Sequence, residues 1–145
     1  MADLRVTGLD DLMLSMQQIA ELPEAVQDEM LFAAADVIVP AQRNKIRAYG
    51  IYDSKSTKHV ADSIKAGKVK LKKGQRVLYV SPTGSRRRGN TVTRNAEILF
   101  INEYGATRRG IKARPAVRDA NEEAADAAVQ AQEAVLDRFY KSKNL

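Results

Sequence analysis

Two long stretches, one near each end of the chain, carry apolar residues at the spacing of an α-helix. The first has them at Val26, Met30, Ala33, Ala34, Val37 and Ala41. The second has them at Val117, Ala120, Ala124, Ala128, Ala131 and Val135. Because residues three, four or seven apart share one face of a helix, each stretch predicts a long helix with one apolar side. That side has to be buried, so both helices are expected to pack on other elements.

The bounds of these helices follow from local signals. The first is predicted over residues 24–48, because Pro23 suits a helix start and Gly50 a stop. The second, which is rich in alanine, is predicted over residues 115–140. Pro40 removes a backbone hydrogen bond from the first helix, so we expect a kink there or a helix that ends and restarts.

Between the two helices the pattern changes to short strands and turns. A hairpin is predicted over residues 68–81, with its turn at Lys73-Gly74-Gln75. Residues 82–94 predict a long loop, because Gly, Ser, Thr, Asn and Arg dominate them. Residues 96–104 predict a central strand, since Ile98-Leu99-Phe100-Ile101 is apolar on both faces.

The remaining segments complete a prediction for one domain, residues 1–145. Residues 8–20 predict a short helix, residues 53–59 a flexible connector and residues 105–114 a second basic loop. The predicted fold is α+β, with two N-terminal helices, a small antiparallel sheet of three to four strands with long basic loops, and a long C-terminal helix. A chain of 145 residues can bury one core of this kind.

Composition excludes several kinds of site. The chain has no cysteine, so it holds no disulfide, no thiolate nucleophile and no cysteine-bound metal. Its single histidine, His59, cannot build a multi-histidine cluster. His59 could act as a general base beside Asp62, but its polar setting favours a solvated loop residue. No phosphate-binding or dinucleotide-binding glycine motif is present, so we expect no enzyme and no cofactor.

Two carboxylate pairs, Asp10/Asp11 and Glu122/Glu123, could chelate a cation or act as acid and base. Adjacent residues diverge by about 100° around a helix, which favours capping roles in first helical turns instead. No window approaches the roughly 20 apolar residues that cross a bilayer, and no signal core opens the chain. The sequence therefore predicts a soluble protein with no membrane contact.

Charge is sorted along the chain. Residues 1–36 have a net charge of −7, residues 37–118 of +16 and residues 119–145 of −3. Eight cations lie in the two predicted basic loops, at Arg86, Arg87, Arg88, Arg94, Arg108, Arg109, Lys112 and Arg114. These cations could bind nucleic-acid phosphates, dock on an acidic partner or subunit, or serve only as a solvated surface. No aromatic residue lies between Tyr79 and Phe100, so base stacking is not indicated.

Several local strings, in order, resemble one known family. They are Gly8-Leu9-Asp10-Asp11-Leu12, Leu22-Pro23 before the Ala-rich helix, Thr57-Lys58-His59-Val60-Ala61-Asp62-Ser63-Ile64, and Phe100-Ile101-Asn102-Glu103-Tyr104-Gly105-Ala106-Thr107 followed by Ala113-Arg114-Pro115-Ala116-Val117-Arg118. Together they resemble the head-tail joining and tail-completion proteins of long-tailed bacteriophages, a tail-terminator-like family. The resemblance covers almost the whole chain.

The resemblance implies a structural protein of the phage neck. It implies a homo-oligomeric, hexameric ring that joins the capsid portal connector to the tail tube and lets DNA pass. The implied partners are an adjacent connector or stopper ring, the tail tube protein and, non-specifically, the transiting double-stranded DNA. The implied location is the virion, after assembly in the host bacterial cytoplasm.

The positions that match the family pattern are Glu103, Gly105, Arg114 and Pro115. The resemblance implies architectural roles for them: the glycine for a tight exit from the predicted strand, the proline to begin the last helix, and Glu103 paired with Arg114. The alternative function is a small, sequence-independent nucleic-acid-binding protein that uses the arginine-rich loops.

Overall fold

The computed structural model describes residues 22–51 and 59–143. In chain order its elements are helix α1 (Glu24–Ala48), a 3-10 turn (Val60–Ser63), strands β1 (Ile64–Ala66), β2 (Lys70–Lys72), β3 (Gln75–Val77), β4 (Val80–Pro82), β5 (Ser85–Arg88) and β6 (Thr91–Arg94), helix α2 (Asn95–Tyr104), a second 3-10 turn (Thr107–Arg109) and helix α3 (Ala116–Ser142). The mixed helix-and-sheet class and the long C-terminal helix are confirmed. The predicted single sheet is wrong, because the described strands form three antiparallel pairs, β1 with β4, β2 with β3 and β5 with β6.

Helices α1 and α3 pack along each other and form the most extensive contact in the described structure. Their buried positions are mostly small, with Ala34 and Ala35 on α1 and Ala120, Ala124, Ala125 and Ala128 on α3. The Gln42 side-chain amide of α1 donates a hydrogen bond to Asn121 Oδ1 of α3, at 2.9 Å. The two apolar stripes of the sequence are thus buried or half-buried in one helix pair. The predicted bounds of both helices are correct to within two residues.

Helix α1 runs through Pro40 without a break, so the expectation that it ends and restarts there is wrong. Because proline has no backbone N–H, the carbonyl of Asp36 loses its helical hydrogen-bond donor. Asp36 and Pro40 are both exposed, so water can donate to that carbonyl instead. Packing along α3 stabilises the helix on both sides of Pro40. The chain leaves the helix at Gly50, which has the positive φ of +69° expected of a stop.

A second apolar cluster lies where the C-terminal end of α1 meets the rest of the chain. It is aliphatic and consists of Ile46, Ile51, Val60, Ala61, Ile64, Leu99 and Ala116. These residues come from α1, the first 3-10 turn, β1, α2 and the start of α3. The cluster therefore fixes α2 and the first turn of α3 against the C-terminal end of α1.

The predicted first hairpin is present as β2 and β3, with a two-residue turn in which Lys73 and Gly74 both have positive φ. It is shorter than predicted, since residues 80–82 form β4 and pair with β1. Arg76 holds the hairpin to α1 through two bonds to the Asp28 carboxylate, from Nε at 2.5 Å and from Nη2 at 2.7 Å. These bonds lower the pKa of Asp28 below its usual range.

Two of the predicted elements are wrong. Residues 82–94, predicted as a loop, contain the hairpin of β5 and β6, which turns at Gly89-Asn90. Gly89 supplies a positive φ, and the β-branched residues that follow it favour a strand. Residues 96–104, predicted as a central strand, lie in helix α2, because a short apolar run does not by itself distinguish the two structures.

The predicted basic loop at residues 105–114 is a connection, as expected, closed by a bridge between Ala106 and Ile111. The predicted helix at residues 8–20, with Asp10 and Asp11, and most of the predicted connector at residues 53–59 lie outside the described residues. In residues 22–51 and 59–143, no helix is long and apolar enough to cross a membrane.

Candidate interaction surface

Gly105 ends α2 in a backbone conformation that only glycine adopts readily, with φ +76° and ψ 172°. A Cβ at this position would lie 2.9 Å from the backbone nitrogen of Ala113 and 2.9 Å from the carbonyl oxygen of Ile111. The chain therefore doubles back against itself here at a spacing that excludes any side chain. The sharp turn at Gly105 therefore follows helix α2, and not the strand that the sequence predicted.

Glu103 caps helix α3 from the neighbouring helix. Its carboxylate accepts hydrogen bonds from the backbone N–H groups of Val117, at 3.0 Å, and Arg118, at 2.9 Å. The first N–H groups of a helix have no partner within it and carry partial positive charge, so a carboxylate stabilises them. The side chain of Glu103 thereby ties α2 to the N-terminus of α3.

Arg114 does not pair with Glu103, which corrects the expectation from the resemblance. Its Nη1 donates to the carbonyl oxygen of Tyr49 at 3.0 Å, and its Nη2 to Asn102 Oδ1 at 2.7 Å. Pro115 follows at the N-cap of α3, in a tight turn closed by a 2.8 Å bond from Ala116 N to the Arg114 carbonyl. We call residues 103–118 the α2–α3 joint.

The two predicted basic loops converge on one groove. Arg86 of β5 and Arg109 of the second 3-10 turn both line it, and the volume is about 310 Å³. Its apolar lining comes from Ile98, Ile101 and Ile111. We call this the basic groove. Arg86 is half-buried and its Nε donates to Asn95 Oδ1 at 2.8 Å, so the groove side of the hairpin is fixed to the start of α2.

The remaining predicted cations do not join one cluster. Antiparallel partners point to the same side of a hairpin and successive residues to opposite sides, so Arg87 and Arg94 lie on the face away from Arg86. Arg108 and Lys112 are exposed near the groove on the connection between α2 and α3. Of the other two, Arg88 pairs through its backbone with Thr91, and Arg114 is used within the joint.

Helix α2 exposes a pair of aromatic side chains that the predicted strand did not place together. Phe100 is 64% exposed and Tyr104 is 70% exposed, and their ring centres are 4.8 Å apart. Residues four apart share a helix face, so the pair would have been visible in the sequence once the segment was assigned to a helix. Exposed apolar patches of this kind are typical of protein contacts.

Helix α3 carries a line of exposed carboxylates, which we call the α3 acidic face: Glu122, Asp126, Glu133 and Asp137. The expectation that Glu122 and Glu123 cap a first turn is wrong, because α3 begins at Ala116. Glu123 instead forms an ion pair with Lys45 of α1, with Nζ and Oε2 2.6 Å apart. This bond raises the pKa of Lys45.

His59 is a structural cap and not the solvated loop residue of the sequence prediction. It is half-buried, and its Nδ1 accepts a hydrogen bond from the backbone N–H of Ala61 at 3.0 Å. Burial, followed by the charge of Arg47, lowers the pKa of His59, which keeps the accepting nitrogen unprotonated. The carboxylate of Asp62 accepts from Arg47. The Nδ1 of His59 and the carboxylate of Asp62 are thus engaged with the backbone and with Arg47, respectively.

Among residues 22–51 and 59–143, no group of three or more His, Asp or Glu side chains is placed to hold a metal ion. Comparisons with protein-family models, with curated proteins and with solved structures find no match to this chain. The candidate interaction surfaces of the described residues are the basic groove, the exposed aromatic pair and the α3 acidic face.

Proposed function

We propose that this chain is a non-enzymatic subunit of a ring in the neck of a long-tailed bacteriophage. The ring joins the capsid portal connector to the tail tube and completes the tail, and DNA passes through it. The observation that carries the proposal is that the matched positions Glu103, Gly105, Arg114 and Pro115 all belong to the α2–α3 joint. The last two strings of the resemblance, at residues 100–107 and 113–118, thus fall in the part of the fold that fixes three helices relative to one another.

The surfaces of the described subunit also support assembly. Phe100 and Tyr104 expose apolar area that a partner would cover. The acidic and basic surfaces lie on different elements: the acidic face is on α3, and the groove is lined by β5, β6, α2 and the connection that follows α2. A subunit with two unlike, complementary surfaces associates head to tail and can close into a ring.

The first test is the oligomeric state of the purified full-length chain. We expect a closed ring of six copies, seen as a single high-mass species in sedimentation and as six-fold particles in electron micrographs. The adjacent connector or stopper ring and the tail tube protein should bind to opposite ends of it. A protein that stays monomeric at every concentration, with or without those partners, contradicts the proposal.

One observation favours a second candidate, sequence-independent binding of duplex DNA. Arg87 and Arg94 are exposed on one face of a two-stranded hairpin, and a β-ribbon of that width can enter the major groove. If this is right, affinity falls steeply with salt and the double variant Arg87→Ala/Arg94→Ala lowers it at least tenfold. The control variant Lys141→Ala/Lys143→Ala, at the far end of α3, leaves it unchanged. Equal affinities for the two variants would exclude this use of the hairpin.

A further inference from the structure

The α3 acidic face is regular in its geometry. Its members Glu122, Asp126, Glu133 and Asp137 fall within an arc of about 60° and extend for about 22 Å along the helix. All four are exposed, and within the described residues none of them is in an ion pair. Other acids of the helix pair do have partners, as Glu123 has Lys45 and Glu29 has Arg138.

This arrangement is unfavourable in an isolated subunit. Glu122 with Asp126, and Glu133 with Asp137, are like charges four residues apart, and such pairs destabilise a helix. The half-buried Val129, Leu136 and Tyr140 border the same side of the helix. A charged face with an apolar border is typical of a surface that binds a partner protein, whose opposite charges neutralise it.

The basic groove has the complementary composition. Arg86 and Arg109 line it, exposed Arg108 and Lys112 lie beside it, and isoleucines supply its apolar surface. No ion pair between the groove and α3 occurs within the described subunit. Two copies of the groove, or two copies of the acidic face, would repel each other.

We infer that the α3 acidic face of one copy docks on the basic groove of the next copy. The contact joins unlike surfaces, so it is heterologous and repeats from subunit to subunit until the assembly closes. This inference rests on the proposed function, for which it names the contact that builds the ring. Duplex DNA is the competing occupant of the basic groove. Its phosphates would be repelled by the α3 acidic face, which the inferred contact places at the groove.

A charge exchange tests the contact in the full-length chain. The acid-reversed variant is Asp126→Lys/Glu133→Lys, and the base-reversed variant is Arg108→Glu/Arg109→Glu. All four positions are exposed, and within residues 22–51 and 59–143 no side-chain hydrogen bond or ion pair joins them to another element. Folding should therefore be unaffected, which a thermal melt checks. Asp36→Lys reverses the charge of an exposed acid on α1 and is the control for a charge reversal outside the inferred contact.

Each reversed variant alone should assemble at least tenfold more weakly than the unaltered chain, in sedimentation at low salt. An equimolar mixture of the two should regain assembly, because each reversed face then meets its complement on the other variant and the two alternate around the ring. Asp36→Lys should assemble normally. Restoration on mixing is specific to a direct contact between the two surfaces.

Three results would overturn the inference. If the unaltered chain forms rings and neither reversal weakens them, the contact is elsewhere and the proposed ring function still stands. If only the base reversal weakens assembly, the groove has another occupant, such as DNA. If the unaltered chain never assembles, the proposed function is contradicted together with the inference.

Discussion

Gly105→Ala is expected to lower the free energy of unfolding by about 3 kcal/mol. The backbone conformation of φ +76° and ψ 172° is strained for alanine, and the new Cβ would lie 2.9 Å from two backbone atoms that cannot move without opening the joint. Denaturation in urea, followed by circular dichroism, measures the difference in midpoint. The effect should include loss of the Glu103 cap, since the same loop positions the start of α3.

Gly74→Ala is the matched control for Gly105→Ala. Gly74 has the same φ of +76°, but nothing lies within 4 Å of its Cβ position. It should therefore cost only the conformational strain, about 1 kcal/mol. Equal losses of stability for the two variants would mean that the close approach at Gly105 contributes nothing, and the account of the joint would be wrong.

Glu103→Ala is expected to cost about 2 kcal/mol, because two N–H groups at the start of α3 lose their acceptor and the helix loses a favourable charge. Hydrogen exchange at Val117 and Arg118 should accelerate more than elsewhere in α3. Glu103→Gln keeps one carbonyl oxygen as an acceptor and should cost about half as much.

Glu97→Ala is the control for Glu103→Ala. Glu97 is an exposed acid in the first turn of the same helix and has no bond to α3, so its removal should cost less than about 1 kcal/mol. The exchange rates of Val117 and Arg118 should not change. A Glu103→Ala variant no less stable than Glu97→Ala would contradict the capping role.

The long helices could be predicted from sequence because their signal is long. Each repeats its apolar spacing over about four to five turns, from Val26 to Ala41 and from Val117 to Val135, so α1 and α3 are recognisable even with Pro40 inside one of them. Helix α2 has only ten residues, and Ile98-Leu99-Phe100-Ile101 fits a buried strand as well as a helix. Its identity is decided by tertiary contacts, since Leu99 enters the core while Phe100 stays in solvent.

The candidate site could be predicted from sequence only in part, because it also depends on tertiary contacts. Gly105 and Glu103 could be singled out by resemblance, but the bonds of Glu103 to Val117 and Arg118 join residues 14 and 15 positions apart and depend on where two helices meet. The hairpin was missed although Gly89-Asn90 is a recognised turn pair. In a hairpin, side chains alternate between the two faces, so Arg86 lies on the opposite face from Arg87 and Arg94. A loop would not impose this separation, so the predicted loop could not reveal it.

Imaging of assembled virions is the decisive test of the proposed ring between portal and tail tube. Antibody or tag labelling of the full-length chain, followed by averaging of electron micrographs, locates the chain in the particle. We expect label in a ring of six copies at the neck, around the DNA path. Label elsewhere in the particle, or none in purified virions, would overturn the proposed function.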